Sequence, residues 1–337
     1  MIVDLPAAQF CQSKDIGEFI GTDLPASHAK LFMFKFHDCW VDMDKLFPIG
    51  AGLKTCKALF RTYADHKYAE YYSPPFAGQL RAHAASDYDN AFVLGGVDNY
   101  WHFLVDHLAK TPLLRHFNGG LPTVVVNDRL TNGFVQLVER ACSFLNLAQP
   151  ALVTESRPIL KLKNSFVPCV NDAAPRLRFL RELGASIQAA DRSAAPERIF
   201  FRRGAVSQRR VLNESEVEQK LVDKFGFVAV ESGAMTVFEQ INLVKNAKII
   251  VGGHGAALTN LIFATKLNSM VELYVWHTQA FLKAACGHLG VGHHFLQGNP
   301  VGNQPASGSY ARWDNQDYTV PVDQLLKLVD AIAGHRA

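Results

Sequence analysis

Apolar and polar residues alternate most regularly in the second half of the chain, where short apolar runs are separated by amphipathic stretches. The apolar runs, which predict strands, are residues 198–203, 227–232, 248–253, 269–275 and 293–298. The amphipathic stretches, which predict helices, are residues 213–226, 236–247, 256–264, 279–290 and 322–335. Strands that alternate with helices are typical of a parallel sheet covered on both faces, so this half is predicted to be a Rossmann-like α/β domain.

The helix predicted at 213–226 carries the clearest end signals. Asn213 is expected to cap its N-terminus, with Glu216 three residues later, as in a capping box. Gly226 is expected to end the helix, because glycine adopts the left-handed conformation that helix C-termini favour. The residues between the preceding strand and Asn213 are therefore predicted to form a loop.

The first half of the chain is less regular. A strand is predicted at 31–40, where aromatic and apolar residues follow one another, and a turn-rich break at 71–78. From there on, the pattern predicts a helix at 99–114, a strand at 121–128, a helix at 134–147, one or two strands at 160–170 and a helix at 176–190. The polar, proline-bearing stretch 191–198 is predicted to be a linker, which divides the chain into domains 1–192 and 193–337. Residues 299–315 are predicted to form a long loop.

Composition narrows the class of protein. The chain has 337 residues, of which 48% are hydrophobic and 19% charged, which suits two globular domains. The net charge of +3, from 34 Lys and Arg against 31 Asp and Glu, is too small to predict a nucleic-acid partner. The six cysteines form no C-x-x-C pair, the first residues lack the pattern of a signal peptide, and no apolar run is long enough to span a membrane. We therefore expect a cytoplasmic protein with free thiols.

A glycine-rich turn in the segment KIIVGGHGAALTN, residues 248–260, is the strongest local signal for ligand binding. The apolar strand runs into Gly252, Gly253, His254 and Gly255, and the next helix is predicted to begin at Ala256. Glycines let a backbone approach a phosphate closely, and a helix start supplies free N–H groups and the positive end of its dipole. The alternative is a tight turn whose glycines only satisfy backbone geometry. Further candidate ligands from this segment are the side chains of His254, Thr259 and Asn260.

Four arginines lie in the predicted loop that precedes the helix at 213–226. They are Arg202, Arg203, Arg209 and Arg210. Arginine forks match phosphate oxygens and keep their charge at any working pH. Because this loop and the glycine-rich turn both follow strands of one parallel sheet, they are predicted to share an edge and to suit a nucleotide diphosphate. The alternative is a solvated basic loop.

The predicted helix at 99–114 carries His102 and Asp106, which are four residues apart and therefore share one face. A histidine and a carboxylate placed in this way can form an orienting pair or a general base. The alternative is a structural pair on a partly buried helix. His107 is one position further along and is expected to point elsewhere.

Other chemistries receive less support from the sequence. There is no G-x-S-x-G nucleophile motif and no Walker motif. The residue types of metal ligands occur at Cys286, His288, His293 and His294. Their spacing fits zinc poorly and no second ligand pair accompanies them, so no metal site is predicted.

Taken together and in order, these segments resemble glycosyltransferase family 61. The motifs that carry the resemblance are N-x-x-H-x-x-x-[DE] at Asn99, His102 and Asp106, R-R…R-R-x-x-N-E from Arg202 to Glu214, an acid at Glu231, E-Q at Glu239 and Gln240, H-G-A-x-L-T-N from His254 to Asn260, and an acid at Glu272. The match extends from about residue 95 to residue 275. Gly204 departs from the pattern, which has Asp or Ser at that position.

The resemblance implies an α/β protein of the GT-B type, with two Rossmann-like domains facing each other across a cleft. It implies an inverting, metal-independent glycosyltransferase that needs no cofactor and takes a nucleotide sugar, expected to be a UDP-sugar, in its C-terminal domain. The implied acceptor is a glycan or a lipid-linked saccharide in surface or capsular polysaccharide biosynthesis, which predicts at most a peripheral association with the inner membrane. The residues implied for donor binding are Arg202, Arg203, Arg209, Asn213, Glu231, His254, Gly255, Ala256, Thr259 and Asn260, and Asn99 and Glu272 are implied as further site residues.

Two other functions fit the same residues, and the identity of the base stays open. A ketal pyruvyl transferase would also need arginines, and a non-catalytic sugar-nucleotide or glycan-binding module would keep the same pocket. For the base, we expect Asp106 to accept the proton while His102 orients it, and the reverse assignment is the alternative. If neither residue is the base, Asp38, Asp42 and Asp44 are the next candidates.

Overall fold

The chain forms two compact units. The computed structural model describes residues 2–5, 31–43, 47–49, 80, 86–117, 120–170, 173–187, 195–275, 280–302 and 316–334. The break predicted at 71–78, Asp44 and most of the loop predicted at 299–315 lie outside the described residues. Unit 1 is Met1–Arg176 and unit 2 is Leu177–Ala337. Part of the linker predicted at 191–198 is also outside the described residues, so the boundary after residue 192 stays a prediction.

Unit 1 contains a mixed sheet of seven strands. The strands are β1 (Ile2–Leu5), β2 (Leu31–Asp42), β3 (Phe47–Ile49), β4 (Tyr88–Val93), β5 (Thr123–Asn127), β6 (Leu152–Glu155) and β7 (Ile159–Val170). Their order is β1-β2-β7-β4-β5-β6, with β3 paired to β2. The β2–β7 and β2–β3 pairs are antiparallel and the others are parallel. The strands predicted at 31–40, 121–128 and 160–170 are confirmed, but the long antiparallel pair departs from the parallel sheet of a Rossmann-like domain.

The helix predicted at 99–114 is helical throughout but is not one regular α-helix. It consists of an α-helical turn, α1 (Tyr100–His102), a π-helical turn (Phe103–His107) and a 3₁₀ helix (Leu108–His116). Pro112 lies inside the 3₁₀ helix and has no N–H to donate, which disfavours a continuous α-helical ladder there. The remaining helices of this region are α2 (Asn132–Phe144) and α3 (Ala173–Ser186), and α3 crosses the division between the units.

Unit 2 contains a parallel sheet of five strands, as the sequence predicts. The elements in chain order are β8 (Arg198–Phe201), α4 (Glu214–Phe225), β9 (Val228–Val230), α5 (Val237–Leu243), β10 (Ile249–Gly253), a 3₁₀ helix (Ala256–Ile262), β11 (Ser269–Tyr274), α6 (Ala280–Leu289), β12 (Gly292–Gln297), the short antiparallel pair β13 (Asn299–Pro300) and β14 (Tyr318–Thr319), and α7 (Val322–Gly334). The strand order is β9-β8-β10-β11-β12. This is the flavodoxin-like order of doubly wound sheets.

The core of unit 2 lies between this sheet and the helices that cover it. Phe200, Val251 and Val271 from the strands pack in one buried cluster with Leu221 of α4 and Leu325 of α7. Large apolar side chains are buried on both the sheet and the helices. This packing fixes the ends of the strands and hence the positions of the loops that follow them. In the part of the chain that the structure describes, no helix is both long and apolar enough to cross a membrane.

Two local predictions in unit 2 are confirmed in position but not in detail. The segment predicted to be a helix from residue 256 to 264 is a 3₁₀ helix of seven residues, so its N-terminus carries less of the aligned dipole that the phosphate argument uses. Asn213 occupies the N-cap position of α4 but its side chain makes no capping hydrogen bond, because it binds the backbone of Val320 instead. Gly226 ends α4 in the left-handed conformation, with φ of 65°, which confirms that prediction.

Candidate active site

The reversal of strand order in unit 2 places two predicted segments side by side. After β8 the chain continues to β9 on one side, and later returns to form β10 on the other side of β8. In open parallel sheets, ligands bind outside the carboxyl ends of the strands at such a switch point. The residues that follow β8 are Arg202 and Arg203, and those that follow β10 are His254 and Gly255. The arginine loop and the glycine-rich turn therefore meet at the position that this fold uses for ligands.

Arg203 makes the direct contact between these two segments. Its Nη1 donates to the carbonyl oxygen of His254 at 3.2 Å, and its Nη2 donates to the carbonyl oxygen of Gln208 at 3.1 Å. A Cβ atom at Gly253 would lie 2.8 Å from the Cγ and Cδ of Arg203, and a Cβ at Gly255 would overlap its Nη1. The glycines of the turn are thus needed to admit the Arg203 side chain, whereas the sequence interpretation assigns them to the approach of a phosphate.

Arg209 lies next to Arg203 and forms no ion pair with an acid among the described residues. Burial, and then the charge of Arg209, lower the pKa of the Arg203 guanidinium. Among the described residues, Arg209 has no hydrogen bond or ion pair, and its buried Nε has no acceptor. The Nε of Arg203 is buried without an acceptor as well. Arg209 adopts a left-handed backbone with φ of 56°, which is uncommon outside glycine. Two adjacent guanidinium groups with unused donors favour an anionic ligand.

The other two arginines of the loop are directed toward acids of unit 2. Nε of Arg202 lies 3.3 Å from Glu218 Oε2 on α4. Nε and Nη2 of Arg210 donate to Asp317 Oδ2 at 2.8 Å and 2.6 Å. Of the three arginines predicted to bind the donor, the structure brings Arg203 and Arg209 together. Arg202 forms an ion pair with Glu218 of α4, and among the described residues its buried Nε also has no hydrogen-bond acceptor.

Several other predicted donor residues fix the loops in place. Asn213 forms two hydrogen bonds with the backbone of Val320, one in each direction, at 2.9 Å and 2.8 Å. Asn260 is fully buried and donates to Gln240 Oε1 at 2.9 Å. Gln240 in turn donates to the carbonyl oxygen of Ser232 at 3.1 Å, so the loop after β9 is tied to the segment after β10. These side-chain amides form hydrogen bonds between the loops of unit 2. Structural hydrogen bonds therefore account for these residues in the motif, without any contact to a ligand.

The remaining predicted positions of this region lie close to the same loops. Glu231 follows β9, and its carboxylate packs so closely on Gly204 that any side chain at 204 would collide with it. Gly204 has φ of 61°, a left-handed conformation that favours glycine. Thr259 is buried in the 3₁₀ helix that begins at Ala256. The departure of Gly204 from the family pattern is thus explained by its backbone and by Glu231.

His254 is hydrogen-bonded to a buried carboxylate. The sequence pattern is consistent with this contact but does not predict it. Its Nδ1 donates to Glu272 Oε1 at 2.7 Å, and Glu272 is fully buried on β11. Its ring packs against Tyr274, with the ring centroids 4.6 Å apart. The second oxygen of Glu272 accepts from Nε2 of His293 at 2.8 Å. The sequence interpretation considers His293 only as a metal ligand. Its position on the strand next to β11 is the signal that could have indicated this contact.

In unit 1, the predicted pair of His102 and Asp106 is formed. Nδ1 of His102 donates to Asp106 Oδ2 at 2.7 Å, and the side chain of Asn99 accepts from the backbone N–H of His102 at 3.2 Å. The π-helical turn carries Asp106, and π turns are frequent at functional sites. His107 points into the core, where Nδ1 donates to the Leu94 carbonyl oxygen at 3.0 Å, as the sequence predicts.

A buried arginine that the sequence interpretation misses binds the second oxygen of Asp106. Nη1 of Arg176, on α3, donates to Asp106 Oδ1 at 2.9 Å. Partial burial favours a higher pKa for Asp106, but the hydrogen bond from His102 and the charge of Arg176 outweigh it, and the pKa is lowered. Both carboxylate oxygens are thus occupied. Among the described residues, Nε2 of His102 has no hydrogen-bond partner, and the side chain is 50% exposed. The imidazole is therefore the accessible end of this pair.

The other carboxylates that the sequence offers as a base lie in different surroundings. The carboxylate of Asp38 pairs with the buried Nζ of Lys161 at 2.8 Å, and that Nζ lies 3.9 Å from the ring centroid of Trp40. Asp42 is 8% exposed at the end of β2. Both residues belong to unit 1, as His102 and Asp106 do, and they stay the second choice for the base.

Comparison with known proteins identifies the family. The model of the family Glycosyltransferase 61 matches residues 100–271, slightly more than half of the chain. A stretch of 144 residues is 28% identical to the EGF domain-specific O-linked N-acetylglucosamine transferase of Drosophila melanogaster, and covers 40% of this chain and 27% of that relative. The chain thus spans about a quarter of that relative's length. The matched family segment contains His102, the arginine loop and the glycine-rich turn. The chain belongs to glycosyltransferase family 61.

Proposed function

We propose that this protein is an inverting, metal-independent glycosyltransferase that moves a sugar from a nucleotide sugar, a UDP-sugar, to a hydroxyl group of a glycan or a lipid-linked saccharide. The observation that carries the proposal is the pair of guanidinium groups, Arg203 and Arg209, at the switch point of the parallel sheet in unit 2. The oxygens of a diphosphate would accept hydrogen bonds from the guanidinium donors that have no acceptor among the described residues. A further candidate hydrogen-bond donor at this point is His254, whose Nδ1 is already held by Glu272.

The chemistry assigned to unit 2 is stabilisation of the leaving group. When the bond between the anomeric carbon and the diphosphate oxygen breaks, the electron pair stays on that oxygen. Preorganised cationic donors stabilise such a charge without the need to reorganise during the reaction. Arg203 is held by two carbonyl oxygens and is partly buried, so its position is set before a donor binds. Two arginines can offset the leaving charge without a metal ion, which is why we propose a metal-independent reaction.

The chemistry assigned to unit 1 is removal of the acceptor proton. The acceptor oxygen attacks the anomeric carbon, and its proton passes to Nε2 of His102. The sequence interpretation prefers Asp106 as the base, but the geometry supports the alternative, His102, because Asp106 has a lowered pKa and both of its oxygens are occupied. Asp106 then holds the ring in the required tautomer and stabilises the imidazolium that forms. Asn99 fixes the first helical turn on which His102 stands.

The name of the Drosophila relative supports transfer of a sugar to oxygen, since that protein is described as an O-linked N-acetylglucosamine transferase. The family assignment favours glycosyl transfer over the pyruvyl transfer considered from the sequence. The GT-B organisation, a role in surface or capsular polysaccharide synthesis and a cytoplasmic location, with at most peripheral membrane association, stay part of the proposal. The division into two α/β units supports the first of these.

Nucleotide binding by arginine variants tests the donor site. A charge-assisted hydrogen bond contributes about 1.5–3 kcal/mol, so Arg203→Ala and Arg209→Ala should each weaken UDP binding about tenfold or more. Arg202→Ala serves as the matched variant, since Arg202 is paired with Glu218, and it should bind UDP almost like the wild type. Isothermal titration gives the affinities. Wild-type affinity of both Arg203→Ala and Arg209→Ala would overturn the assignment.

Chelation tests the metal independence. Transfer from a UDP-sugar should continue in excess EDTA, because the arginines offset the charge of the leaving group. Loss of turnover in EDTA that manganese or magnesium restores would contradict this part of the proposal.

Fractionation of the source cells tests the proposed cytoplasmic location. Recovery of the protein only by detergent extraction of membranes would contradict that location.

A further inference from the structure

Three side chains form a hydrogen-bonded row across adjacent strands of unit 2. His254 follows β10, Glu272 lies on β11 and His293 lies on β12. Nδ1 of His254 is 2.7 Å from Oε1 of Glu272, and Nε2 of His293 is 2.8 Å from Oε2. Glu272 has an exposed fraction of 0%, and the side chains of His254 and His293 are each 9% exposed. The row therefore connects His254, at the edge of the sheet where the donor is proposed to bind, to His293, which has no part in the proposed donor site.

The burial of Glu272 constrains the protons of this row. An ionised carboxylate only accepts hydrogen bonds, so each imidazole must present an N–H to it. A fully buried carboxylate is costly unless cationic or hydrogen-bonded partners surround it. With Nδ1 of His254 donating to Glu272, protonation of Nε2 gives an imidazolium beside the carboxylate. The pair of His254 and Glu272 thus has two states, one with a net charge of −1 and one that is neutral.

We propose that His293 is a positioning residue for the donor site, which sets the proton affinity of the His254–Glu272 pair, and that this pair takes up a proton from solvent when a nucleoside diphosphate binds. The inference rests on the proposed function for its ligand. A diphosphate beside His254 favours the neutral pair over the anionic one, because a nearby negative charge stabilises the protonated imidazole. The proton adds an N–H donor to those of Arg203 and Arg209.

The groups that face this row allow such a switch. Arg203 lies on the ligand side, where it donates to the carbonyl oxygen of His254. Cys286 approaches from α6, and burial followed by the charge of Glu272 raises its pKa to about 12, so it stays a neutral thiol. The Tyr274 ring packs against the His254 ring at a tilt of 36°. The hydroxyl of Tyr318 donates to the Leu273 carbonyl oxygen at 2.9 Å, and burial raises its pKa. Among the described residues, His294 is a further titratable neighbour, and its pKa is lowered by burial and by the charge of His293.

The direction of the effect of His293 follows from its hydrogen bond. A donor to Glu272 stabilises the carboxylate and hence the anionic state of the pair. Removal of that donor therefore raises the pKa for protonation of the pair, whichever of the two groups holds the proton. The same sign applies if His293 itself is cationic, because its charge also favours the carboxylate. A hydrogen bond to a charged group corresponds to a pKa shift of about one to two units.

The experiment is a histidine titration by NMR on the full chain, with Cε1 and Hε1 shifts followed in three proteins. The wild type is compared with His293→Leu, which lacks the donor, and His293→Gln, whose amide keeps an N–H donor. Assignment comes from the loss of one histidine signal in a His254→Gln sample. We expect the pKa of the pair to rise by about one unit or more in His293→Leu and to stay near the wild-type value in His293→Gln. His288→Gln, on the exposed side of α6, is the matched control and should leave the pKa unchanged.

A second measurement tests whether the His254–Glu272 pair takes up a proton when the ligand binds. Calorimetry of UDP binding in buffers with different ionisation enthalpies reports the protons taken up, which should be positive in the wild type above the pKa of the pair. An unchanged pKa in His293→Leu, or UDP binding without proton uptake from about pH 6 to pH 9, would overturn the inference. Should His293→Leu not fold, His293→Asn, whose amide is too short to reach Glu272, takes its place. Failure of UDP to bind at any pH, with the expected NMR shift intact, would contradict the proposed donor site and still support the role of His293.

Discussion

The two units each contain a histidine whose Nδ1 donates to a carboxylate at 2.7 Å, but the surroundings of the two pairs are opposite. In unit 1, the side chains of His102 and Asp106 are 50% and 39% exposed. In unit 2, those of His254 and Glu272 are 9% and 0% exposed. The first pair lies on a distorted helical segment and the second at the carboxyl ends of parallel strands. The same hydrogen bond therefore occurs once at a solvent-exposed site and once at a buried site.

The second oxygen of each carboxylate explains how the pairs differ in chemistry. Asp106 accepts from Arg176, which is always cationic, whereas Glu272 accepts from His293, which is titratable. A carboxylate held by arginine stays ionised and can support an imidazolium in an accessible base. A carboxylate held between two imidazoles has a charge that depends on their protons. These differences support our proposal that the exposed pair removes the acceptor proton and that the buried pair stabilises charge at the donor site.

The largest expected effect is on turnover when the exposed pair is broken. His102→Ala removes the proposed base, and loss of a general base typically costs about 100- to 10,000-fold in rate. UDP affinity and the melting temperature should stay close to those of the wild type, since the side chain is half exposed. Initial rates of transfer from a UDP-sugar measure the effect. His116→Ala, an exposed histidine of the same helical region, is the control, and equal rates for both variants would contradict the role of His102.

Removal of the buried carboxylate should act mainly on stability. Glu272→Ala leaves two imidazole N–H groups without this acceptor, and each buried donor left unsatisfied costs about 1–3 kcal/mol of the free energy of unfolding. Asp106→Ala removes the more exposed carboxylate and should cost about 1 kcal/mol or less. Urea denaturation followed by circular dichroism measures both. Equal losses would show that the difference in burial does not control the two pairs.

A single methyl group should displace the arginine that joins the donor segments. Gly255 has an extended backbone, which alanine adopts easily, but a Cβ there would overlap the Nη1 of Arg203. Since that atom is the end of a flexible side chain, Gly255→Ala should fold and should bind UDP about tenfold more weakly through loss of one charged contact. Gly287→Ala is the control, because a Cβ at that position has open space around it. Wild-type UDP affinity of Gly255→Ala would argue against Arg203 as a ligand.

The smallest expected effect is the pH dependence of the exposed pair. The pKa of Asp106 is lowered in the folded state, so its charge stabilises the fold above the unfolded pKa of about 3.9, and this stabilisation is lost as the pH falls through the folded pKa. Asp106→Asn should therefore be less stable than the wild type at neutral pH, by up to about 1 kcal/mol, and the difference should shrink below about pH 4. Thermal melts at several pH values measure it. A difference that grows toward acid pH would contradict the lowered pKa.

The regular part of unit 2 is predictable because its local signals agree with one another. Strands at 198–203, 248–253 and 269–275 and the amphipathic segments between them are each consistent with a parallel α/β sheet, and the glycine at 226 ends α4 as predicted. In unit 1, the sequence does not predict β4 and β6, because short strands with mixed polarity are ambiguous. The segment after β10 is predicted to be an α-helix but forms a 3₁₀ helix. The two helix types place apolar residues at similar spacing, so the sequence pattern of a short segment does not distinguish them.

The chemical groups and their order along the chain follow from residue types and local spacing alone. The spacing of four between His102 and Asp106 suffices to place them on one face, because helical periodicity is local. Which arginines remain available, and which asparagines are consumed by the scaffold, depends instead on tertiary packing. Arg202 and Asn213 find partners on α4 and next to α7, and Glu272 meets His293 through the register of β11 and β12. Those contacts join segments that are distant in the chain, and no pattern within a single segment encodes them.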